Sequence, residues 1–287
     1  MLAATALLAS CSSTESEEPS TANDQQVTLT FSPYEITPLS TRSAGDSRFS
    51  REVSTRAATS IASIATRLDI WLIEGENTTA IHQTSADADF GSVLVTLDKT
   101  KTYKLYAMGH KSAEVATLAD GVISFSEDKI KESMFYSTTF SPSSTTSLSC
   151  LMHRIVAQFR FETTDAVPAE CKKMRFTISD VWNRWNVLTG ASNQSDRVST
   201  INITSTNDDG TAIFNIYAIV QDTETLHSVT VEALDAEDNA VQTPRTFADV
   251  PLRNGYRTTY RGTYFTDTPT TATFTIADWN AYDPVIF

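Results

Sequence analysis

The sequence predicts an all-β protein built from two tandem β domains. Threonine, serine, valine and aromatic residues dominate the chain, and long stretches with helical periodicity are absent, a composition typical of strands. Three strand-like segments in the first half are matched in order, type and rough spacing by three in the second half. They are residues 67–73, 91–97 and 102–108, and then residues 173–178, 211–218 and 228–234.

The central strand-like run of the sequence is residues 151–161. Its side chains alternate between apolar and polar with a period of two, which is typical of an antiparallel strand with one buried face. One side carries Leu151, Ile155, Ala157, Phe159 and Phe161, and the other carries Arg154, Gln158 and Arg160. Only His153 interrupts the apolar side.

The segment before this run, residues 140–147, is rich in serine, threonine and proline and has few side chains that could fill a core. Such residues form turns and connections. We therefore predict a linker that separates an N-terminal β domain, residues 27–147, from a C-terminal β domain, residues 148–287.

Length and charge limit the function classes. A chain of 287 residues can form two domains with separate cores, and 40% hydrophobic against 20% charged residues indicates folding without metal or cofactor. The net charge of −13 argues against nucleic acid, because binding to phosphate backbones needs clustered lysine and arginine. It also disfavours adhesion to anionic membrane surfaces, so any membrane association is expected to come from an anchor.

The N-terminus supplies a candidate anchor. Residues 1–10 are small and apolar, and the sequence Leu-Ala-Ser-Cys at residues 8–11 matches the bacterial lipobox, so residues 1–11 are predicted to be a lipoprotein signal with a lipid (palmitate) on Cys11. The alternative is a chance cysteine after an ordinary hydrophobic signal. The apolar run is too short to span a membrane. Residues 12–26 begin with a polar, acidic stretch and are predicted to be a flexible tether.

The other two cysteines are Cys150 and Cys171. If the strands that begin near residues 151 and 173 form a hairpin, the two thiols lie roughly 30 Å apart at about 3.3 Å per residue, beyond the reach of a disulfide. A Greek-key path would bring them together. We favour two free, buried thiols.

A first strand is predicted at residues 27–31, where apolar and polar side chains alternate. Pro33 and Pro38 interrupt it, and residues 39–66 consist mainly of serine, threonine, alanine and arginine. This segment is predicted to be a long loop, with or without a short helix around residues 57–65. Insertions of this length within a compact domain are uncommon and often functional.

No catalytic motif is found in the sequence. It lacks a glycine-rich phosphate loop, His-Glu-x-x-His, Cys-x-x-Cys and Gly-x-Ser-x-Gly. The histidines share no spacing and are interpreted as strand or turn residues: His82, His110, His153 and His227. The segment Asn-Asp-Asp-Gly at residues 207–210 lacks the ligand series of a calcium loop and is interpreted as a tight turn. We therefore predict that the protein is not an enzyme and has no cofactor.

Two tryptophans suggest a different kind of site. Trp182 and Trp185 could stack on a sugar, because a pair of tryptophans near a loop is a common carbohydrate platform. Partial burial at the edge of a β-sandwich explains them equally well.

Several motifs, in their order along the chain, resemble one known family. They are the lipobox at Cys11, residues 89–91 before a strand, residues 103–110, 151–157 and 250–262, and the ending around Trp279. Together they are similar to the Bacteroidetes fimbrillin-like lipoproteins, which are subunits of type V pili, and in particular to the group of minor fimbrial subunits and anchor proteins. The resemblance covers nearly the whole mature chain.

The resemblance implies two transthyretin-like β-sandwich domains, export to the outer membrane and cell surface, and a role as a fimbrial or adhesion subunit. The implied partners are other pilus subunits bound by donor-strand exchange, the outer membrane through the lipid on Cys11, and a host or bacterial surface ligand. In pilins of this kind, an arginine-specific protease cuts the loop after the first strand, and the vacated groove accepts a strand from another subunit. Anchor members keep their lipid instead.

The loop at residues 39–66 contains candidate cleavage sites. Its positive charge comes from Arg42, Arg48, Arg51 and Arg56, and no lysine precedes Lys99. Selection by an arginine-reading protease explains this choice, because the planar guanidinium pairs with a carboxylate through two bonds; chance is the alternative. We predict cleavage after Arg56, with Arg42 as the second site. The predicted donor strand is residues 272–276 or the tail, residues 285–287.

Two other functions are considered. A surface glycan-binding lipoprotein would share the lipobox, the tether and the tandem domains, and would use exposed aromatic residues such as Trp182 and Trp185. A secreted hydrolase is disfavoured because no acid–base or nucleophile set is found.

Overall fold

The computed structural model describes residues 22–34, 60–125 and 130–266, and the backbone of residues 273–278. These residues form seventeen strands, and their one helical element is a 3-10 helix, Ile61–Ser63. The all-β prediction is therefore confirmed. The strands are β1 (Asp24–Pro33), β2 (Arg67–Glu74), β3 (Asn77–Thr84), β4 (Ser92–Asp98), β5 (Tyr103–His110), β6 (Thr117–Ala119), β7 (Val122–Ser124), β8 (Ser133–Phe140), β9 (Ser147–Arg154), β10 (Val156–Thr163), β11 (Lys173–Asn186), β12 (Gly190–Asn202), β13 (Ile213–Ile219), β14 (Thr225–Leu234), β15 (Arg245–Leu252), β16 (Tyr256–Gly262) and β17 (Thr273–Asp278).

Seven strands of the first half follow the order β3-β2-β5-β8-β9-β1-β4. The link between β8 and β9 consists of two residue pairs, Met134↔Arg154 and Phe135↔His153. The path therefore folds into two layers, β4-β1-β9 and β3-β2-β5-β8. Their alternating apolar side chains meet in one core, because each strand buries every second residue. That core contains Val27, Leu29, Leu68, Ile70, Leu105, Cys150 and Met152.

The second half follows the order β15-β14-β11-β13-β10-β16-β17, with β12 beside β11. Its two layers join at a single pair, Trp182↔Ile219. The core is rich in aromatic rings, and Phe161 stacks on Tyr260 at 4.7 Å with an angle of 8° between the ring planes. Phe176 meets Phe161 edge-on at 5.5 Å. Such contacts add about 0.5–1.5 kcal/mol per pair to the gain from burial.

The two halves repeat one topology. If the two short strands β6 and β7 are left out of the first half, the first strand of each half pairs in parallel with the seventh, as β1 with β9 and as β10 with β16. The first strand also pairs antiparallel with the fourth, as β1 with β4 and as β10 with β13. The second strand pairs with the third and the fifth, as β2 with β3 and β5, and as β11 with β12 and β14. All six strands of the predicted repeat are confirmed.

The predicted single strand at residues 151–161 is wrong in two respects. It is two strands: β9 ends at Arg154, β10 begins at Val156, and Ile155 joins them. The apolar side also changes at this joint. Met152 is buried in the first core and Phe159 in the second, whereas Leu151, predicted to be buried, is 46% exposed. The change of sheet at Ile155 lets one continuous run supply a strand to each core.

The segment predicted to be a linker connects β8 to β9, and both strands belong to the first sheet. The chain therefore passes to the second sheet at Ile155. β1 begins at Asp24, so the last residues of the predicted tether are already in a strand. The division into domains at residue 147 stays a prediction.

A third apolar cluster joins the halves. The β6–β7 hairpin of the first half pairs with β11 at Trp185↔Ile123. Around it, Trp71, Tyr106, Met108, Ile123 and Phe135 of the first half pack with Val156 and Ile219 of the second, and Ile155 lies among them. This junction core covers the outer face of the layer formed by β2, β5 and β8.

The two thiols of the described chain are free and buried, as predicted. Cys150 lies in the first core and Cys171 in the second. Burial raises the pKa of Cys150 to about 12. Burial also raises the pKa of Cys171.

Candidate functional site

The candidate site is the place of β1 in the first sheet. β1 lies between two neighbours, antiparallel to β4 over Asp24–Thr30 and parallel to β9 over Thr28–Pro33. The N–H of Phe31 donates to the carbonyl of Gly91 at 2.8 Å, and that of Tyr34 donates to the carbonyl of Met152 at 2.8 Å. β1 is thus an interior strand although it is the first strand of the described residues.

The inner face of β1 is apolar. Val27 and Leu29 are fully buried and Phe31 is 3% exposed, while Gln26 and Thr30 on the other face are exposed. Burying a side chain of this size is worth about 1.5–3 kcal/mol. Three such side chains, together with the two ladders, stabilise β1 in the sheet.

The chain enters and leaves residues 35–59 at two fixed points. At the first, the ring of Tyr34 lies 4.4 Å from the ring of His153, at the end of β1. At the second, Ile61 is 1% exposed in the first core. A Cβ placed on Gly91 would lie 2.6 Å from Cγ2 of Ile61, so this close approach needs glycine, which also has φ +91° here.

Several predicted site residues lie outside the described residues. They are Cys11, the four arginines Arg42, Arg48, Arg51 and Arg56, Trp279 and the tail, residues 285–287. The structure does place both ends of the arginine-containing segment, at Tyr34 and Ser60. The predictions for lipid and cleavage stay predictions.

The first predicted donor segment, residues 272–276, coincides largely with β17. This strand pairs antiparallel with β16 over Tyr256–Arg261, so it is an edge strand of the chain's own second sheet. The run predicted as a donor for a neighbouring subunit is therefore already paired within its own chain. An exchange that uses it has to release it from β16 first.

The two tryptophans do not form an exposed platform. Trp182 is partly buried against both the second core and the junction core. Trp185 is partly buried, its ring lies 5.7 Å from that of Phe135, and its Nε1 is buried without a hydrogen-bond partner. Of the two interpretations made from the sequence, burial at the edge of the sandwich fits Trp182 better.

A cleft of about 450 Å³ opens where β8 and β9 separate. Phe135, Tyr136 and Ser137 of β8 line one wall, and Ser149, Leu151 and His153 of β9 line the other. The rest of the lining is Arg154 and Ile155 at the joint between the halves, and Trp185 and Asp222 of the second half.

Sequence analysis missed a buried polar cluster around Asp69. Its side chain is fully buried, and its carboxylate lies 2.8 Å from Nδ1 of His82 and 2.7 Å from Nε2 of His110. It also accepts the N–H of Ala116 at 2.7 Å. Burial acts to raise the pKa of Asp69, but the hydrogen bonds from His110 and Ala116 outweigh it and the pKa is lowered. All four histidines are strand residues as predicted, yet two of them share this carboxylate.

This cluster positions a connection between the halves. Asp69 lies on β2, and Ala116 comes just before the β6–β7 hairpin that pairs with β11. A buried carboxylate with three donors is satisfied and costs little. No group of acidic, histidine or cysteine side chains in the described ranges could hold a metal ion.

The acidic segment at residues 207–210 is a turn, as predicted. The carboxylate of Asp209 accepts the N–H of Thr211 at 3.0 Å and its hydroxyl at 2.6 Å, and the N–H of Gly210 donates to the carbonyl of Asn207. Within the described residues, no helix is long and apolar enough to cross a membrane.

Fold and sequence together define the class as an all-β, sandwich-type protein with an internal repeat. A model of a family of unknown function (DUF6562) matches residues 113–284, more than half of the chain. The chain belongs to this family. No curated protein matches it.

Several solved structures are similar to this chain. A candidate adhesin from Bacteroides ovatus has a TM-score of 0.52 at 10% identity, covering 90% of this chain and 94% of that one. A candidate adhesin from Bacteroides thetaiotaomicron has a TM-score of 0.49 at 10% identity, covering 91% and 98%. The fimbrial anchor protein Mfa2 from Porphyromonas gingivalis has a TM-score of 0.45 at 8% identity, covering 89% and 98%. The predicted resemblance to fimbrillin-like proteins is confirmed at the level of the fold by the first of these.

Proposed function

We propose that the protein is a subunit of a surface fimbrium or adhesive structure, anchored by lipid on Cys11 and assembled by exchange of its first strand. The observation that carries this proposal is the position of β1. It is interior to the first sheet, yet the chain leaves it directly into the segment that contains Arg42 and Arg56.

Cleavage in that segment would leave β1 held only by noncovalent contacts. If β1 then departed, β4 and β9 would present two unpaired edges on either side of a groove lined by the first core. Unpaired ladder groups beside an apolar groove are a template for strand addition. A strand from a neighbouring subunit with alternating apolar residues would restore the burial lost with Val27, Leu29 and Phe31.

Sequence and fold support a non-enzymatic role. The carboxylate of Asp69 is fully buried and accepts three hydrogen bonds, and the sequence has no catalytic motif. Adhesion and assembly need surfaces and strand edges, which this fold has. The name of the structurally similar adhesin from Bacteroides ovatus agrees with such a role.

The test is digestion of the purified mature chain with an arginine-specific protease, followed by size-exclusion chromatography with light scattering. We expect cleavage after Arg56 and conversion of monomer into higher oligomers. The variant Arg56→Lys keeps the charge but removes the main cleavage site, and Arg42→Lys/Arg56→Lys removes both predicted sites; each should reduce oligomer formation. Deleting residues 271–287 should block oligomers and leave cleavage intact. A cleaved protein that stays monomeric with β1 bound would contradict exchange and favour a lipid-retaining anchor.

Lipid attachment is tested separately in cells. A fatty-acid analogue should label the wild type and not Cys11→Ala, with Cys150→Ala as the matched control that keeps the label. Equal labelling of wild type and Cys11→Ala would contradict the anchor. A glycan array tests the alternative function, for which Trp185→Ala is the informative variant because Trp185 lines the cleft.

A further inference from the structure

The internal repeat aligns the two parallel strand pairs residue by residue. β1 pairs with β9 from Thr28↔Ser147 to Pro33↔Met152, and β10 pairs with β16 from Gln158↔Arg257 to Thr163↔Gly262. Each ladder has six pairs. Alignment of the two places Cys150 on Tyr260, and both are buried in their respective cores.

This alignment identifies an edge that is covered in one half and open in the other. The outer edge of β16 is covered by β17, which pairs with Tyr256–Arg261. The equivalent residues of the first half are 146–151. In the part of the chain that the structure describes, β9 pairs on its outer side only at His153 and Arg154, with β8. The edge that precedes these two residues has no strand beside it there.

The backbone of β9 shows which groups are free. The carbonyls of Thr146 and Met152 accept from β1, so even-numbered residues direct their peptide groups toward β1. Because peptide groups alternate along a strand, odd-numbered residues direct theirs outward. The N–H of Ile155, an odd-numbered residue, donates outward to the carbonyl of Ser133 at the start of β8, which agrees with this alternation. Ser147, Ser149 and Leu151 therefore present the outward N–H and C=O groups.

The cleft between β8 and β9 lies along this edge. Ser149 and Leu151 line it from the β9 side, and its volume of about 450 Å³ leaves room for an extended segment. Leu151 is 46% exposed, an apolar side chain beside the open ladder groups. An exposed strand edge of this kind is a template for a further strand.

We propose that the outer edge of β9 takes an extended strand from a second copy of this chain, namely its segment 273–278. That segment already fits the equivalent edge, at β16, in its own chain. Its transfer to β9 of a neighbour would be a strand swap between two repeat-related edges. The contact joins different surfaces of the two copies, so it is head-to-tail and extends a filament unless the rotation closes a ring. The inference rests on the proposed function in that it assumes that copies of this chain assemble. It concerns the outer edge of β9, which is different from the groove left by β1.

The experiment measures binding of a fluorescent synthetic peptide, residues 272–278, to the uncut protein by fluorescence anisotropy. The critical variant is Ser149→Pro, which removes an outward N–H of β9 and leaves the β1 ladder intact, since proline is accepted on an open edge. Ser149→Ala keeps the N–H. The matched control is Thr259→Pro, the equivalent position in β16. We expect Ser149→Pro to weaken binding at least about tenfold, because it removes one ladder bond and obstructs the edge, whereas Ser149→Ala and Thr259→Pro should not weaken it.

A second arm leaves the protein unchanged. Two peptides are N-methylated on alternate residues, one peptide on the odd-numbered residues and the other on the even-numbered residues. Only one of the two patterns blocks the N–H groups that would face β9. One should bind and the other should not. The proposal would be overturned if both methylated peptides bound or neither did, or if a scrambled peptide bound equally well. It would also be overturned if Thr259→Pro lowered peptide affinity as much as Ser149→Pro, or if a saccharide displaced the peptide. Because β1 is in place throughout, failure here leaves the protease-driven exchange untouched, and failure of that exchange leaves this result standing.

Discussion

The carboxylate of Asp69 lies 2.7 Å from Nε2 of His110, and both side chains are fully buried. His110 accepts the N–H of Ser112 on its other ring nitrogen, at 3.2 Å. Nδ1 is therefore the acceptor, and Nε2 carries the proton that it donates to Asp69. One carboxylate thereby fixes the ends of β2 and β5 and the start of the connection to the β6–β7 hairpin.

Replacement of this carboxylate should destabilise the fold. Asp69→Asn leaves a buried histidine and a backbone N–H competing for one weaker acceptor, and a buried donor left unsatisfied costs about 1–3 kcal/mol. The measurement is urea unfolding at pH 7. Asp120→Asn is the control, because Asp120 is exposed and asparagine accepts its positive φ. Equal midpoints for the two variants would contradict the assigned role.

The same group predicts a pH dependence. The folded-state pKa of Asp69 lies below its usual value of about 3.9, so its contribution to stability is complete above that pH and is lost as the pH falls through the folded-state value. The asparagine side chain of the Asp69→Asn variant has no such titration. The wild type should therefore lose stability more steeply than Asp69→Asn below about pH 4, measured by urea midpoints in a pH series. Parallel curves would show that Asp69 does not contribute.

Glycine at residue 91 should be required for the close contact with Ile61, where the chain leaves residues 35–59. Gly91→Ala places a Cβ 2.6 Å from Ile61 in a left-handed conformation, which combines about 1–2 kcal/mol of backbone strain with about 1–3 kcal/mol of overpacking. Gly75→Ala is the control: its φ is +59° and nothing lies within 4 Å of the added Cβ, so only the backbone cost applies. Thermal unfolding should rank wild type above Gly75→Ala and Gly75→Ala above Gly91→Ala. If the two variants melt together, Ile61 does not hold the close contact described.

Both buried thiols should be unreactive in the folded protein. With a pKa near 12, about one Cys150 side chain in ten thousand is ionised at pH 8. Iodoacetamide should modify Cys150 and Cys171 only after denaturant is added, as read by mass spectrometry, and neither should form a disulfide on oxidation. Rapid alkylation of Cys150 without denaturant would mean that the first core opens readily.

The junction core should make the two halves unfold together. Ile123→Asp places a charge in this cluster, where Ile123 is fully buried, and should separate one calorimetric transition into two. Leu188→Asp is the control, because Leu188 is 82% exposed. A single transition that simply shifts in Ile123→Asp would indicate that the contact between the halves does not depend on the β6–β7 hairpin.

Alternation of side chains was enough to predict most strands. β1, β2, β4, β5, β11, β13 and β14 all overlap the predicted segments, and each buries one apolar face. β2 and β5 also bury their other face, against the junction core. The change at Ile155 was not predictable in this way. Leu151 and Met152 are both apolar, and the sequence alone does not tell which of them a core will take.

Contacts between distant strands were also beyond local patterns. Asp69 meets His82 because the two are directly paired across β2 and β3, and it meets His110 across β2 and β5. To predict the Asp69 cluster, the pairing registers of β2 with β3 and with β5 would have had to be known first. The predicted site residues Cys11, Arg42 and Arg56 rest on short motifs outside the described residues, so the structure adds to that site only the place of β1 and the two ends of the segment that follows it.

The parallel pairing of β1 with β9 has a mechanical consequence. If the chain is pulled at Asp24 and from its second half beyond Ile155, the two strands are drawn in opposite directions along their length. All six residue pairs then carry the load at once, in shear, instead of opening one after another. The pairing of β10 with β16 repeats this arrangement in the second half. The repeat therefore places two shear-loaded clamps in series along the chain, the geometry in which a β protein best resists tension.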